Sequence, residues 1–334
     1  MNRDNAARFV TGIAEPLVPH SRFLACALLA VLAAPRAFAC SACGCTLDSD
    51  WAAQGLVASG GWRLNLRYDF FEQDQLRSGT DRVSPARFAY PADVEVQRYT
   101  INRNATLALD SSPNKDWGVN LSLPWYDRAH ATIAAGDTEL STSHDRGVGD
   151  LRIVARYSGF AAQRSSGLLF GLKLPTGRFT DTFDRGPQRG ATVDRGLQLG
   201  SGTVDAILGV YRFGAWSPDW GYFAQAIVQQ PLDSREGFRP GTGVNLNFGL
   251  RYTASTTWVP QLQINARAER RERGVNADVA NSGATLVYLS PGITWQPTRR
   301  FAAFAFVQKP VYQRVNGLQL EATEFVSLGL QYRL

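Results

Sequence analysis

Cys40, Cys43 and Cys45 stand as C-x-x-C-x-C, the densest group of reactive side chains in this 334-residue chain. Three closely spaced thiolates can share one soft ion such as Cu(I) or Zn, or two can close a disulfide and leave one thiol for redox exchange. A third use is docking of a periplasmic redox or metal-handling protein, and the pattern leaves all three open. Cys43 is not followed by His, so covalent haem attachment through C-x-x-C-H is excluded. Asp48 or Ser49 suits the cap of a short helix over residues 51–56, which would hold the cluster at the inner mouth of a pore.

His130 and His144 fall in a polar stretch with Asp127, Asp137, Glu139 and Asp145. That composition predicts a solvated loop, with a surface metal site as the sharper alternative. His144 beside Ser141 or Ser143 carries no recognisable hydrolase motif, so the chain is expected not to be an enzyme; a barrel hydrolase is the remote alternative.

The elements that must position these groups are strands. Val326, Leu328, Leu330, Tyr332 and Leu334 alternate with Phe325, Ser327, Gly329, Gln331 and Arg333 up to the last residue. A strand has a side-chain period of two, so one face is apolar and the other mostly small or polar, as the closing strand of a barrel in lipid requires. The same alternation predicts strands near 62–70, 99–109, 117–125, 151–157, 168–174, 202–213, 219–230, 244–252, 261–269, 284–296 and 300–310. Connections then alternate between long (74–96, 127–147, 176–200, 231–242, 271–282, 311–322) and short (110–115, 158–165, 214–218, 254–257, 297–299). The prediction is an all-β fold: a 12-stranded antiparallel transmembrane β-barrel with short periplasmic turns, long outer loops and both termini periplasmic. Trp62, Trp117, Trp125, Trp220, Trp258 and Trp295 lie near strand ends, where interfacial girdles belong.

Parity places Arg63, Arg67, Arg98, Arg152, Arg156, Lys173, Arg251, Arg267 and Arg333 inside, against Asp69, Asp205 and Glu269. That excess of inward positive charge would favour anions in a narrow pore; alternatively the same groups pair with one another and fill a small lumen. Arg103 shares the outward parity of Tyr99 and Leu107, at a cost of about 2–4 kcal/mol near the bilayer midplane, so a bulge is expected there. Phe301, Phe304 and Phe306 fall on both faces, and the inward side of their strand stays unassigned. Arg178, Arg185, Arg189 and Arg195 in the longest outer loop could meet lipopolysaccharide phosphates, or pair with Asp181, Asp184 and Asp194.

Residues 1–39 read as a signal peptide: twelve apolar residues, Phe23 to Ala34, come after Arg22 and precede an A-x-A site at Ala37 to Ala39. The charged stretch before them is long, so the natural start is expected near Val18. Residues 40–60 then form a periplasmic Cys-rich segment, with lipidation of Cys40 as an alternative, and 61–334 the barrel. The 31 Gly, 11% aromatic and 19% charged residues suit such a barrel, and no run beyond the signal reaches the roughly 20 apolar residues of a membrane helix. The net charge of +6 is spread along the chain without a basic run, so nucleic acid is not an expected partner.

Gly147-Val-Gly-Asp150, Gly171-Leu-Lys-Leu-Pro-Thr-Gly177 and Leu197-Gln-Leu-Gly-Ser-Gly202 resemble motifs of the outer-membrane family named for the MetA pathway of phenol degradation. The resemblance covers roughly residues 60–334 and implies a 12-stranded, porin-like barrel of the Gram-negative outer membrane that passes small, often hydrophobic molecules. The same Gly and Pro residues also read as plain strand-end and loop geometry. The expectation is therefore a channel or transporter for a small solute, in contact with membrane lipid and lipopolysaccharide, with a redox or metal-binding segment at its periplasmic end. A structural barrel anchoring a periplasmic electron-transfer or metal-handling partner is the alternative.

Overall fold

The computed structural model describes residues 61–161 and 163–334. The expected signal peptide (1–39) and Cys-rich segment (40–60), with Cys40, Cys43 and Cys45, lie outside the described residues. Thirteen strands are described, in chain order β1 (Gly61–Gly79), β2 (Asp81–Arg82), β3 (Val96–Ser112), β4 (Trp117–Ile133), β5 (Ser141–Val148), β6 (Leu151–Tyr157), β7 (Ser166–Leu174), β8 (Asp205–Ser217), β9 (Trp220–Pro231), β10 (Gly243–Tyr252), β11 (Trp258–Glu269), β12 (Ala284–Trp295) and β13 (Phe301–Arg333).

Eleven of these elements form an antiparallel ring, β1-β3-β4-β6-β7-β8-β9-β10-β11-β12-β13, which β13 closes by pairing with β1 from Arg63↔Arg333 upward. β2 and β5 lie off the ring, on β1 and β4. The expected strands at 300–310 and 325–334 are both contained in the 33-residue β13. Its residues 303–315 pair with β12 and residues 315–333 with β1. Closure removes both sheet edges, which is what lets a sheet sit in lipid with its backbone groups satisfied.

Outward faces carry the apolar parity. Trp62, Leu64, Leu66, Tyr68 and Phe70 on β1, Leu121, Leu123 and Trp125 on β4, and Leu328, Leu330 and Tyr332 on β13 are all exposed. One aromatic girdle runs round the end with the short turns, where Trp258 faces Trp295, Trp220 faces Tyr252 and Trp117 faces Tyr157 across neighbouring strands. From Trp117 to Trp125 the apolar band matches the roughly 9–11 residues of a tilted membrane strand.

Several expectations are corrected beyond Trp125. The segment 127–147 is not a loop: β4 continues to Ile133 and pairs with β5, because the ladder hydrogen bonds outlast the apolar band. Arg103 has no bulge; its register with Phe70 and Asp127 is uninterrupted. It keeps its outward parity at the rim of the band, over the Phe70 ring at 6.0 Å and 3.9 Å from Asp127. The bulge lies instead between Gln97 and Tyr99, and it turns Arg98 out to solvent while Gln97 is buried, so Arg98 is not a lumen residue. On β13 Ala302, Phe304, Phe306 and Gln308 are the buried, inward set, which settles the strand that parity left open.

Candidate lumen site

Inside the ring the alternate residues build three zones. Near the girdle of short turns the interior is filled by paired charges and amides. Arg63 and Arg156 converge on Asp110, the first in a close ion pair and the second at 3.4 Å, with Ser112 accepting from both guanidiniums. Alongside, Asn265 donates to Asn247 at 2.9 Å and accepts from Ser290 at 2.7 Å, while Gln261 reaches Thr294 at 2.6 Å. Apart from the half-buried Ser112 these groups are buried, and buried polar groups are as a rule hydrogen-bonded. Arg251 lies in this zone against the Phe223 ring, and Arg333 closes the ladder opposite Arg63.

A second zone is apolar, although the enclosed side is expected to be mostly small or polar. Phe71, Leu286, Tyr288, Val315, Ala322 and Phe325 pack into one buried cluster on the β12-β13-β1 wall. The Phe71 and Phe325 rings lie 4.4 Å apart, and Tyr288 meets Phe325 edge-on at 5.2 Å. Lower on that wall Phe304 and Phe306 cover Gly329 and Gly292, where a Cβ would come within 2.1 Å of either ring.

The third zone is open. A cavity of about 300 Å³ lies between β1, β3, β4, β6, β7 and β11 and is lined by Arg67, Asp69, Arg152, Lys173, Arg267 and Glu269 among others. Arg67 bonds Asp69 at 2.8 Å, Arg267 bonds Glu269 at 3.1 Å, and Lys173 sits 3.2 Å from Asp150 and 3.0 Å from Asp205. The inward cations named from sequence are thus largely matched by carboxylates.

The roof of this cavity is the end of the β7–β8 segment, residues 195–201, which turns inward while most of 184–192 stays exposed, and the three family-like motifs build its clip. Asp150 Oδ1 accepts from the Gly177 N–H at 3.0 Å, and Oδ2 accepts from the Ser201 N–H at 3.0 Å. The Thr176 hydroxyl donates to Gly149 O at 2.8 Å and accepts from the Leu151 N–H. Gly177 and Gly200 touch through their backbones, so a Cβ on Gly177 would sit 2.7 Å from the Gly200 Cα. Arg128, on β4, donates to Asn102 and to the carbonyls of Leu197 and Gln198, pinning the roof from the facing wall. Sequence parity missed Arg128 because it lies in the stretch read as loop. Arg195 donates to Ser201 O and stacks on Phe179 and Phe238 at 4.4 and 4.9 Å, so it is a framework residue of the roof, with Glu236 within 3.5 Å. Arg178 forms a close ion pair with Asp181.

The histidines do not meet. His130 is buried, with Nδ1 2.9 Å from the Thr100 hydroxyl, whereas His144 lies on the outer side of β5, 2.8 Å from Asp127. Ser141 and Ser143 are buried on the opposite face of β5 from His144, so this segment assembles no Ser–His pair. Among the described residues no group of three or more His, Cys, Asp or Glu is placed to hold a metal.

A ring closed by β1 and β13, banded outside by apolar side chains and roofed by an inward loop, can be compared with solved structures. An outer-membrane channel from Pseudomonas putida F1 superimposes with a TM-score of 0.62 at 13% identity, covering 83% of this chain and 97% of that one. The chain has the fold of an outer-membrane channel. The resemblance to the MetA-pathway family, read from residues 147–202, agrees with this channel fold. The toluene transporter TbuX of Ralstonia pickettii (TM-score 0.44, 8% identity, covering 89% of this chain and 97% of that one) and the monoaromatic hydrocarbon channel CymD (0.43, 8%, covering 83% and 89%) are more distant. Only the first is similar enough to establish a shared channel fold. No protein-family model matches the chain, and no curated protein does.

Proposed function

We propose that the protein is a passive outer-membrane channel for a small solute. The observation that carries this reading is a polar cavity enclosed by a sealed ring whose outside is apolar: the ring crosses lipid, and the cavity offers polar groups in place of hydration. In this reading β13 counts as two spans. Its chain reverses at Asn316-Gly317, where Gly317 has φ +53°, and the Arg333 N–H bonds back to Arg300 O at 2.8 Å. Twelve spans result, an even number that leaves both termini on the periplasmic side with the long connections outside. Cys40, Cys43 and Cys45 then serve at that periplasmic end as a redox pair, a soft-metal site for Cu or Zn, or a docking device.

Single-channel recordings and solute-flux assays on the refolded mature protein in lipid test the reading; a barrel that neither conducts nor passes any tested solute overturns it. The buried Arg63–Asp110–Arg156 cluster favours a second reading, a filled sleeve that anchors a periplasmic electron-transfer or metal-handling partner. A pull-down with a Cys40→Ser, Cys43→Ser, Cys45→Ser variant separates the two: loss of a partner with transport intact makes the cysteines a docking device.

A further inference from the structure

One cation in the cavity stands apart. Among the described residues Arg152 makes no ion pair and no hydrogen bond, although it lines the cavity. Its carboxylate neighbours are committed elsewhere. Asp205 accepts from Lys173, Thr203 and Gln229, Asp150 from Lys173, Gly177 and Ser201, and Asp69 from Arg67 and Ser327.

The register makes this position unfavourable on its own terms. Arg152 stands directly opposite Lys173 on β7 and Ser122 on β4. Like charges opposed across strands destabilise a sheet. Lys173 is relieved by two aspartates, whereas Arg152 has Arg67 and Arg267 acting against its charge and, among carboxylates, Asp205 acting for it, an aspartate already bonded to Lys173. A positive centre of this kind is stabilised by an anion entering the cavity.

We propose that Arg152 is the anchor of a binding site for a small organic monocarboxylate inside the barrel. The guanidinium fork matches a carboxylate in a bidentate fashion, which a diffuse cationic lining does not. The same lining supplies a surface for the body of the ligand: Leu199, Phe238, Pro240 and the ring of Tyr126 border the cavity. An inorganic anion would use the charge and leave that apolar surface unused, so the fit is to a carboxylate carrying an apolar group. A volume of about 300 Å³ is at the small end of ligand sites, which limits the occupant to a compact molecule.

This inference rests on the channel reading only for how the ligand arrives; binding itself is separable. Calorimetry on the refolded full barrel in detergent, with benzoate as probe and benzyl alcohol as its neutral counterpart, tests it. Benzoate is expected to bind at least about tenfold tighter than benzyl alcohol. Arg152→Gln is expected to erase that difference while leaving benzyl alcohol unchanged, and Arg152→Lys to keep part of it. Equal binding of the two probes, no benzoate binding, or an unchanged preference in Arg152→Gln overturns the site. If Arg152→Gln does not refold, Arg152→Ala and Arg152→Met take its place, and a wild type without a benzoate preference overturns the site in any case. A barrel that binds benzoate through Arg152 and never conducts keeps this site and loses the channel; one that conducts without preference keeps the channel and loses the site.

Discussion

Asp150 holds Ser201 twice, accepting from its N–H at 3.0 Å and from its hydroxyl at 2.9 Å across 51 residues of sequence. With the Gly177 N–H on its other oxygen, this buried carboxylate fastens both ends of the β7–β8 segment to the start of β6. The roof over the cavity is therefore held at its base, and the motifs around Asp150, Gly177 and Ser201 are three sides of one clip.

Asp150→Ala removes every one of these acceptors and one counter-charge of Lys173. A loss of about 2–4 kcal/mol is expected, concentrated in the roof rather than the ring. Limited trypsinolysis should cut faster at Arg178, Arg185, Arg189 and Arg195, while the heat-dependent gel shift of the barrel is retained. Unaltered cleavage would show that the clip does not hold the roof.

Gly177→Ala tests the same clip sterically. The added carbon meets backbone atoms, Gly200 Cα at 2.7 Å and Leu199 O at 2.9 Å, which cannot swing aside as a side chain would. About 1–3 kcal/mol of strain is expected, again read as faster cleavage of the roof. Ser201→Ala, which deletes only the hydroxyl, should cost about 1 kcal/mol and show a weaker effect.

At the far end of the lumen, Asp110→Ala withdraws the carboxylate that Arg63 and Arg156 share. Breaking a buried ion cluster on one side costs about 3–5 kcal/mol, so the variant should unfold at clearly lower urea than the wild type. Adding Arg156→Met should recover part of the loss, because one fewer charge is then buried without its partner.

Acid should stabilise the mouth that carries the long connections. Glu95, just before β3, accepts from the Thr132 hydroxyl at 2.6 Å and is pushed up to about 8 by burial and then by Asp194. Asp194 is raised to about 6 by burial and then by Asp278. Both carboxyls hold their protons in the fold at pH values where the unfolded chain, near its ordinary values of about 4, has released them. Their contribution is full below about pH 4, falls as pH rises towards 8, and is gone above it. Thermal melts in detergent should give a higher midpoint at pH 5 than at pH 8.5, with Glu95→Gln flattening most of the difference; a higher midpoint at pH 8.5 would contradict this account.

Much of the barrel was legible because a strand writes its two faces at alternate positions. Arg63, Arg67, Asp69, Arg156, Lys173, Asp205, Arg251, Arg267 and Glu269 obey parity into the interior, since one registered ladder carries each along its strand. Arg98 departs from it because a bulge adds one residue and reverses the facing of its neighbours, a local event with no composition signal. His130 and Arg128 were hidden in a stretch whose polarity suggested a loop. Beyond the apolar band a strand no longer needs a greasy face to persist, because β3 and β5 still satisfy the β4 backbone.

Alternation of apolar and polar residues, with long and short connections in turn, determined by itself that this chain makes a closed sheet with an oily outside, because lipid imposes a period-two pattern on every strand it touches. The interior obeys no such single solvent. Which carboxylate neutralises which guanidinium, that Phe71 and Phe325 close a dry wall, and that Asp150 gathers Gly177 and Ser201 while Arg152 is left facing the cavity were decided by tertiary structure alone. Those relations join strands and loops many residues apart, and their distances are set by strand pairing and, for Phe71 and Phe325, by closure of the ring.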